Sequence, residues 1–191
     1  MRKPPKELAR RLVDASQEVL RPDQELRLED IAGLVGSARA TLYYYFSGRD
    51  DLIAFLLEEH LSSAAGAIDA AIAPTEPADA QLRSAVAALI EFLGRHPGVC
   101  AALLSFAATA GRMATVLAAK DAMLVVPLRQ ILSAGAADGL FAIDDPRDAA
   151  NAILGAIMIT ILGRWHNGTD ATAADFQSSL TSQIVRGVHA D

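Results

Sequence analysis

A single cysteine, Cys100, stands in this chain of 191 residues, so an intrachain disulfide and a cysteine-built metal cage are both excluded. Aromatic residues are scarce, at 5%. No uninterrupted apolar run approaches the ~18 residues of a membrane span. The longest candidate, Ala152 to Gly163, is too short and ends at Arg164, which fits a core or subunit-interface helix. The N-terminus is charged from Arg2 and lacks the apolar stretch of a secretion signal, so a cytoplasmic protein without membrane contact is expected. Strand-like alternation and internal repeats are missing. The four histidines (His60, His96, His166, His189) have no H-x-x-x-H or H-E-x-x-H spacing. Adjacent Glu58, Glu59 and His60 diverge on a helix. No G-x-S-x-G, phosphate-binding loop or dinucleotide fingerprint occurs. Cys100 sits in apolar "GVCAALL", surroundings of an inert thiol rather than a nucleophile. No catalytic residue, metal or cofactor is therefore expected.

What is present is apolar and uneven in charge. Hydrophobic residues make up 52% and mean hydropathy is +0.26, with alanine supplying much of it. The length suits one domain, or two small ones sharing an extended core. The net charge is −6. Residues 1–49 hold nine lysines and arginines against seven acids, and the remainder holds eight against sixteen. Arg2, Lys3, Lys6, Arg10 and Arg11 face only Glu7 in the first eleven positions. A basic arm on an acidic body is a local electrostatic footprint, or simply a solvated start.

Helical periodicity dominates. Leu8, Leu12, Ala15 and Val19 form one stripe, which Pro22 and Asp23 should end. "LEDIAGLVG" predicts a short second helix, Gly36 a break, and Ala38 to Phe46 a third. Ser47 with Asp50 resembles a capping box for a fourth, Asp50 to about Ile72. "APTEPA" is the main internal loop. Helices then follow over about 79–94, 99–109 and 113–137, with "RHPG" breaking the first from the second and Pro127 expected to kink the third. Asp145 should cap, and Pro146 open, a helix reaching His166. A last helix spans about 173–188. The expectation is an all-α protein of about nine helices.

Two short helices joined by a tight turn suggest a helix-turn-helix. Ile31, Leu34 and Val35 can face inward from the first of them, and Leu42 and Phe46 from the second. Arg39 and Tyr43 then make their own i, i+4 pair, beside Ala40 and Tyr44. Successive helical residues are rotated by ~100°, so "TLYYYF" cannot send all three tyrosines into one core. Some phenols must meet solvent or a ligand, and a phenol can bond phosphate and lie against sugar or a thymine methyl. A half-buried aromatic cluster is the plainer alternative.

"LEDIAGLVGSARATLYYYFSGRDDLIAFLLEE" resembles the DNA-binding domain of the TetR/AcrR transcriptional regulators. Ile31-Ala32 supplies the I-A doublet, Gly36 the turn glycine, and Leu42-Tyr43, Tyr45-Phe46 and Leu52 fall in register. The strong motif covers about residues 28–57. Val35, Ser37, Ala38 and Ala40 depart from the usual alanine, valine, serine cap and glycine. Arg27 stands at a frequent threonine and Arg49 at a frequent lysine. The resemblance implies base reading by Arg39, Ala40 and Tyr43. It implies phosphate contact by Thr41, Tyr44, Tyr45 and Arg49, with Arg27 at the second helix. Ser37 is a candidate cap in place of Ala38. Lys3, Lys6, Arg10 and Arg11 would add sequence-blind affinity. Residues 1–49 would form the DNA-binding domain and 50–191 a helical regulatory and dimerisation domain.

The C-terminal half resembles the family's regulatory domain more weakly. Such proteins pair their last two helices across a homodimer. Ile153, Ile157, Ile161 and Trp165 form one row, and Ala150, Leu154, Met158 and Leu162 the next. A double stripe can serve both its own core and a partner, the favoured reading, although an ordinary intrachain core would also explain it. Ala152, Gly155, Ala156, Thr160 and Gly163 would permit close approach. The interface candidates are Ile153, Ile157, Ile161, Phe176, Leu180 and Ile184. The resemblance also implies an effector pocket. Its candidate walls are Phe92, His96, Cys100, Leu103, Leu104, Phe106, Met113, Met123, Leu124 and Trp165, each taken singly more at home in plain core. Few charges fall on these faces, so an apolar or neutral effector is expected. The implied function is a ligand-responsive repressor binding a palindromic DNA operator as a dimer. The alternative is a helical small-molecule-binding protein or enzyme with an incidental helix-turn-helix.

Overall fold

A computed structural model describes residues 3–21, 24, 26–106 and 112–190; the side chains at 106, 112 and 113 lie outside that description. Pro22 and Asp23, and Arg2 of the basic arm, also lie outside the described residues. Within them the protein is helical throughout, with one isolated antiparallel bridge, Phe141 to His189. The elements are α1 (Lys6–Asp14), α2 (Ser16–Val19), α3 (Leu28–Leu34), α4 (Arg39–Tyr45), α5 (Arg49–Ala71) and α6 (Ala78–Arg95). Next come α7 (Pro97–Phe106), α8 (Arg112–Lys120), a π-helical turn (Asp121–Val125), α9 (Val126–Ala137), α10 (Pro146–His166) and α11 (Ala174–Arg186).

The helix breaks follow local chemistry. Between α6 and α7 the axis turns by 90° at the RHPG segment, where Pro97 has no N–H to continue the ladder. Asp145 caps α10, its Oδ1 accepting from the backbone N–H groups of Arg147 (2.6 Å) and Asp148 (3.2 Å). Around Pro127 the helical ladder is irregular. The π-helical turn immediately before α9 absorbs the missing donor, and Pro127 takes an opening position of α9. The start of α5 also differs. Gly48 is the N-cap, and Asp51 rather than Asp50 bonds back to both the backbone N–H and the hydroxyl of Ser47.

One continuous apolar core runs from Leu8 to Val188. Its N-terminal part is Leu8, Leu12, Val19, Leu28, Ile31, Val35, Leu42 and Phe46, all buried. Leu34 is a correction: it is 50% exposed, because Ile31, Ala32 and Val35 already fill the inward face of this two-turn helix. Phe46 meets Phe55 of α5 with ring centroids 5.6 Å apart, so α5 belongs to the N-terminal core as much as to the C-terminal one. Further along, α6 lies so close to the turn before α11 that a β-carbon on Gly94 would sit 2.6 Å from the carbonyl oxygen of Ala171. Glycine there is a packing requirement.

The rows of α10 divide otherwise than expected. Ile153, Ile157 and Ile161 pack inside their own chain, with Ile157 and Ile161 fully buried. Leu180 is buried as well, and Phe176 and Ile184 are half-buried. The outward face of α10 is instead Ala152, Ala156, Ile159 and Gly163, with Ile159 58% exposed. The correction has a simple cause. α6, α7 and α9 all pack against α10, and they take both apolar rows.

No single helix among the described residues is long and apolar enough to cross a membrane.

Candidate functional site

Helices α3 and α4 meet through a turn whose pivot is Gly36, at φ 59, a left-handed conformation that favours glycine. Ala38 is the N-cap of α4 and makes no side-chain cap. Ser37 does not replace it: Ser37 lies in the turn, where its N–H donates to the Ala32 carbonyl at 2.8 Å. Arg11, expected to be a free cation of the basic arm, is another correction. Its Nη1 donates to the carbonyls of Val35 (2.7 Å) and Gly36 (3.0 Å), so it closes the end of α3. Arg10 is paired with Glu7 at 3.0 Å.

Leu42 is fully buried and fixes the rotation of α4. That rotation exposes Arg39, Ala40, Tyr43 and Tyr44, while Thr41 and Tyr45 are half-buried. Tyr45 packs against the core and holds Tyr44 edge-on at 4.9 Å between ring centroids. Arg39 and Tyr43 come together, the guanidinium lying 5.3 Å from the ring centroid. Both engage Glu29 of α3. Arg39 Nη2 lies 2.6 Å from Glu29 Oε1, and the Tyr43 hydroxyl donates to the same oxygen at 3.1 Å. The Glu29 carboxyl is held below its usual range, first by its own backbone N–H, then by the Tyr43 hydroxyl, and further by the charges of Arg39 and Arg27.

Beside this face is a hollow of about 400 Å³, lined by Arg27, Glu29, Tyr43, Ser47, Gly48 and Arg49 among others. Arg49 opens α5, and its Nε is buried without a hydrogen-bond partner among the described residues. Arg27 starts α3, its N–H donating to Asp30 at 2.9 Å. Two guanidinium groups and the N-terminal end of a 23-residue helix thus converge where an anion can be held. Glu29 is the residue that sequence reasoning missed. Its only signal was position near a helix start, where carboxylates are common for other reasons.

The candidate effector walls are scattered. Cys100, Leu103 and Leu124 are core residues, and burial pushes the Cys100 thiol up to about 12. Met123 is half-buried, and the side chains of Phe106 and Met113 lie outside the described residues. Phe92 and His96 do meet, at 4.7 Å between ring centroids, joined by His60 at 4.8 Å from His96. His60 bonds Ser16 of α2 at 2.8 Å, a buried polar link from the N-terminal helices to α5.

Leu104 and Trp165 belong elsewhere, to an open cleft of about 1030 Å³ between α2, α7 and α10. Ala101, Leu104, Ile159 and Leu162 give it apolar walls, and Gln17, Glu18, Arg21 and His166 a polar rim. Sequence periodicity cannot find such a site, because its walls come from three helices far apart in the chain. Among the described residues, no three of His, Cys, Asp or Glu gather as a metal site requires.

Residues 75–188 match the family model of the tetracyclin repressor-like C-terminal domain. No curated protein sequence matches the chain. The fold is similar to that of a regulatory protein in the TetR family from Rhodococcus RHA1, with a TM-score of 0.80 and 21% identity over 98% of this chain and 100% of that one. It is also similar to FadR from Bacillus subtilis, solved in complex with stearoyl-CoA. There the TM-score is 0.75 and identity 20%, over 94% of this chain and 99% of that one. The ketosteroid transcriptional regulator KstR2 of Mycobacterium tuberculosis gives 0.71 and 16%, over 99% and 98%.

Proposed function

The chain belongs to the TetR family of transcriptional regulators, and from that we propose that it is a ligand-responsive repressor that binds a palindromic operator as a homodimer. The observation that carries the reading is the exposed face of α4, where Arg39 and Tyr43 project together beside an arginine-lined hollow. The N-terminal unit, residues 1–49, would insert α4 into the major groove, and residues 50–191 would dimerise and sense the effector. Two copies related by a two-fold axis would read half-sites one helical turn apart, ~34–36 Å. Arg39 can donate to guanine O6 and N7, a contact worth ~1–3 kcal/mol of discrimination. Thr41, Tyr44, Arg27 and Arg49 fit phosphate contacts, which fix register but carry no base preference.

Arg39→Ala is expected to relax base preference at one position of each half-site. Arg49→Ala is expected to weaken all duplexes alike and to lower the salt slope by about 1. Competition gel shifts over a salt series, with duplex from the gene's own upstream region, read both effects. Parent-like behaviour of both variants would place the recognition surface elsewhere.

The effector proposed is a small molecule with a large apolar body, seated in the cleft between α2, α7 and α10. An occupant there touches the N-terminal unit and α10 at once. It can drive DNA release only if it binds the released arrangement better than the DNA-bound one. Trp165, the single tryptophan, lines this cleft. Titration with a long-chain acyl-CoA is expected to shift its fluorescence in step with loss of the gel-shifted complex. DNA release without a change in Trp165 emission would remove the effector from the cleft.

A further inference from the structure

The recognition surface carries a negative charge where a DNA-binding face has most reason to avoid one. Glu29 reaches from α3 to α4, ten residues from Arg39 and fourteen from Tyr43, pairing with the first by charge and accepting a hydrogen bond from the second through one carboxylate oxygen. The ion pair with Arg39 adds little to stability. The Arg39 side chain is 66% exposed and that of Glu29 34%, and pairs so exposed contribute little to folding. A carboxylate here also repels phosphates and lowers affinity for any duplex. A place in the first turn of α3 suits that helix, but it does not explain why the carboxylate reaches across to α4.

We propose that Glu29 is a positioning residue for sequence selection: it fixes the donor and acceptor pattern that Arg39 and Tyr43 offer to base edges, and it suppresses sequence-blind binding. This deepens the proposed regulator function and rests on it. A free arginine side chain samples many rotamers, and holding it before DNA arrives removes that freedom in advance. The contact with Glu29 is made through Nη2 of Arg39. The guanidinium has five N–H donors, so enough remain for the two acceptors of guanine. The consequence at Tyr43 is sharper. Its hydroxyl proton is committed to Glu29 Oε1, so the phenol oxygen meets DNA as an acceptor. The matching major-groove partners are the amino groups of cytosine N4 and adenine N6. Glu29 thus converts an ambivalent hydroxyl into one that discriminates amino-bearing from carbonyl-bearing bases. Tyr43 lying under the Arg39 guanidinium keeps the two readers in a common orientation.

Selection from randomised duplexes, followed by salt-dependent affinity for selected and scrambled sites, tests this in the full-length protein. Glu29→Ala is expected to bind scrambled DNA several-fold more tightly. Its selected-to-scrambled ratio is expected to fall about tenfold, with preference lost at the positions read by Arg39 and Tyr43. Glu29→Gln keeps a side-chain carbonyl as acceptor and removes the charge. It should retain most of the base preference while gaining the same sequence-blind affinity. In an Arg39→Ala, Tyr43→Phe background, Glu29→Ala should change sequence-blind affinity alone. Unaltered base preference in Glu29→Ala, with a uniform gain for all duplexes, would overturn the proposal and leave only repulsion. So would an equal loss of preference from Glu29→Ala in the doubly substituted background. A parent protein that selects no sequence at all would overturn the regulator reading, and this one with it.

Discussion

Ile157→Arg is expected to leave no stable fold, whereas Ile159→Arg, two positions on, is expected to leave the protomer folded and separate the subunits. The two positions are ~200° apart around α10. Ile157 is fully buried in its own protomer, while Ile159 is 58% exposed. A guanidinium forced into the first position has no partner, and an unpaired buried charge costs several kcal/mol. That is a large part of the ~5–15 kcal/mol that holds a typical domain. At Ile159, which also lines the open cleft beside Trp165, the arginine remains in water within its own chain. In the proposed homodimer it would meet the same surface patch of the partner across a two-fold axis, and two like charges would replace an apolar contact. Circular dichroism should show collapsed helicity for Ile157→Arg and parent-like helicity for Ile159→Arg. Sedimentation should show Ile159→Arg as a monomer. If that variant sediments with the parent as a dimer, the outward face of α10 is not the subunit interface.

Acidification is expected to destabilise the protein before its carboxylates are fully protonated, and His60 is the reason. Burial, and secondarily the neighbouring His96, lower its pKa from 6.5 to about 4. In the unfolded chain the group returns to its ordinary value. Between these two values the unfolded state binds the extra proton, so stability rises with pH. The contribution of neutral His60 is fully present above pH 6.5 and is lost as pH falls toward 4. A difference of that size corresponds to ~3 kcal/mol, or roughly 6–12 °C in Tm for a protein of this length. His96 adds in the same direction, its pKa lowered by burial and by the charge of Arg95. His60→Gln removes the titration and keeps a group able to bond Ser16. Its Tm is expected to vary much less over this window than the parent's. An equally steep decline in His60→Gln would assign the acid sensitivity to other groups.

The neutral His60 bonded to Ser16 also joins the N-terminal helices to α5. Local pattern did not reveal that link. Ser16 and His60 are 44 residues apart, and each taken singly has the look of a surface residue on its own helix. The helix-turn-helix was legible for the opposite reason. Ile31, Gly36, Leu42 and Phe46 lie within one short stretch, where spacing alone fixes which side chains turn inward. The same angular argument set Tyr43 beside Arg39 and Tyr44 beside Ala40, away from Leu42 and Phe46, whereas Tyr45, which the resemblance assigns to phosphate, is half-buried against the core. It failed at Leu34, because a seven-residue helix gives periodicity too few positions to choose among adjacent apolar residues. It failed on α10 because two apolar rows are equivalent until the neighbouring helices have claimed their sides.

By itself the sequence determined the helical class, the positions of most helix breaks, and the face that α4 presents. These depend on interactions within about one or two turns: a proline without a donor, an aspartate cap, a glycine at positive φ, an apolar stripe. Tertiary structure alone decided that Arg11 closes α3, that Ile159 rather than Ile157 faces outward, and that a cleft opens beside Trp165. It also joined Glu29 to Arg39 and Tyr43. Each of these depends on how separate helices are rotated and set against one another. That geometry follows from the packing of the whole core, which no local window of sequence contains.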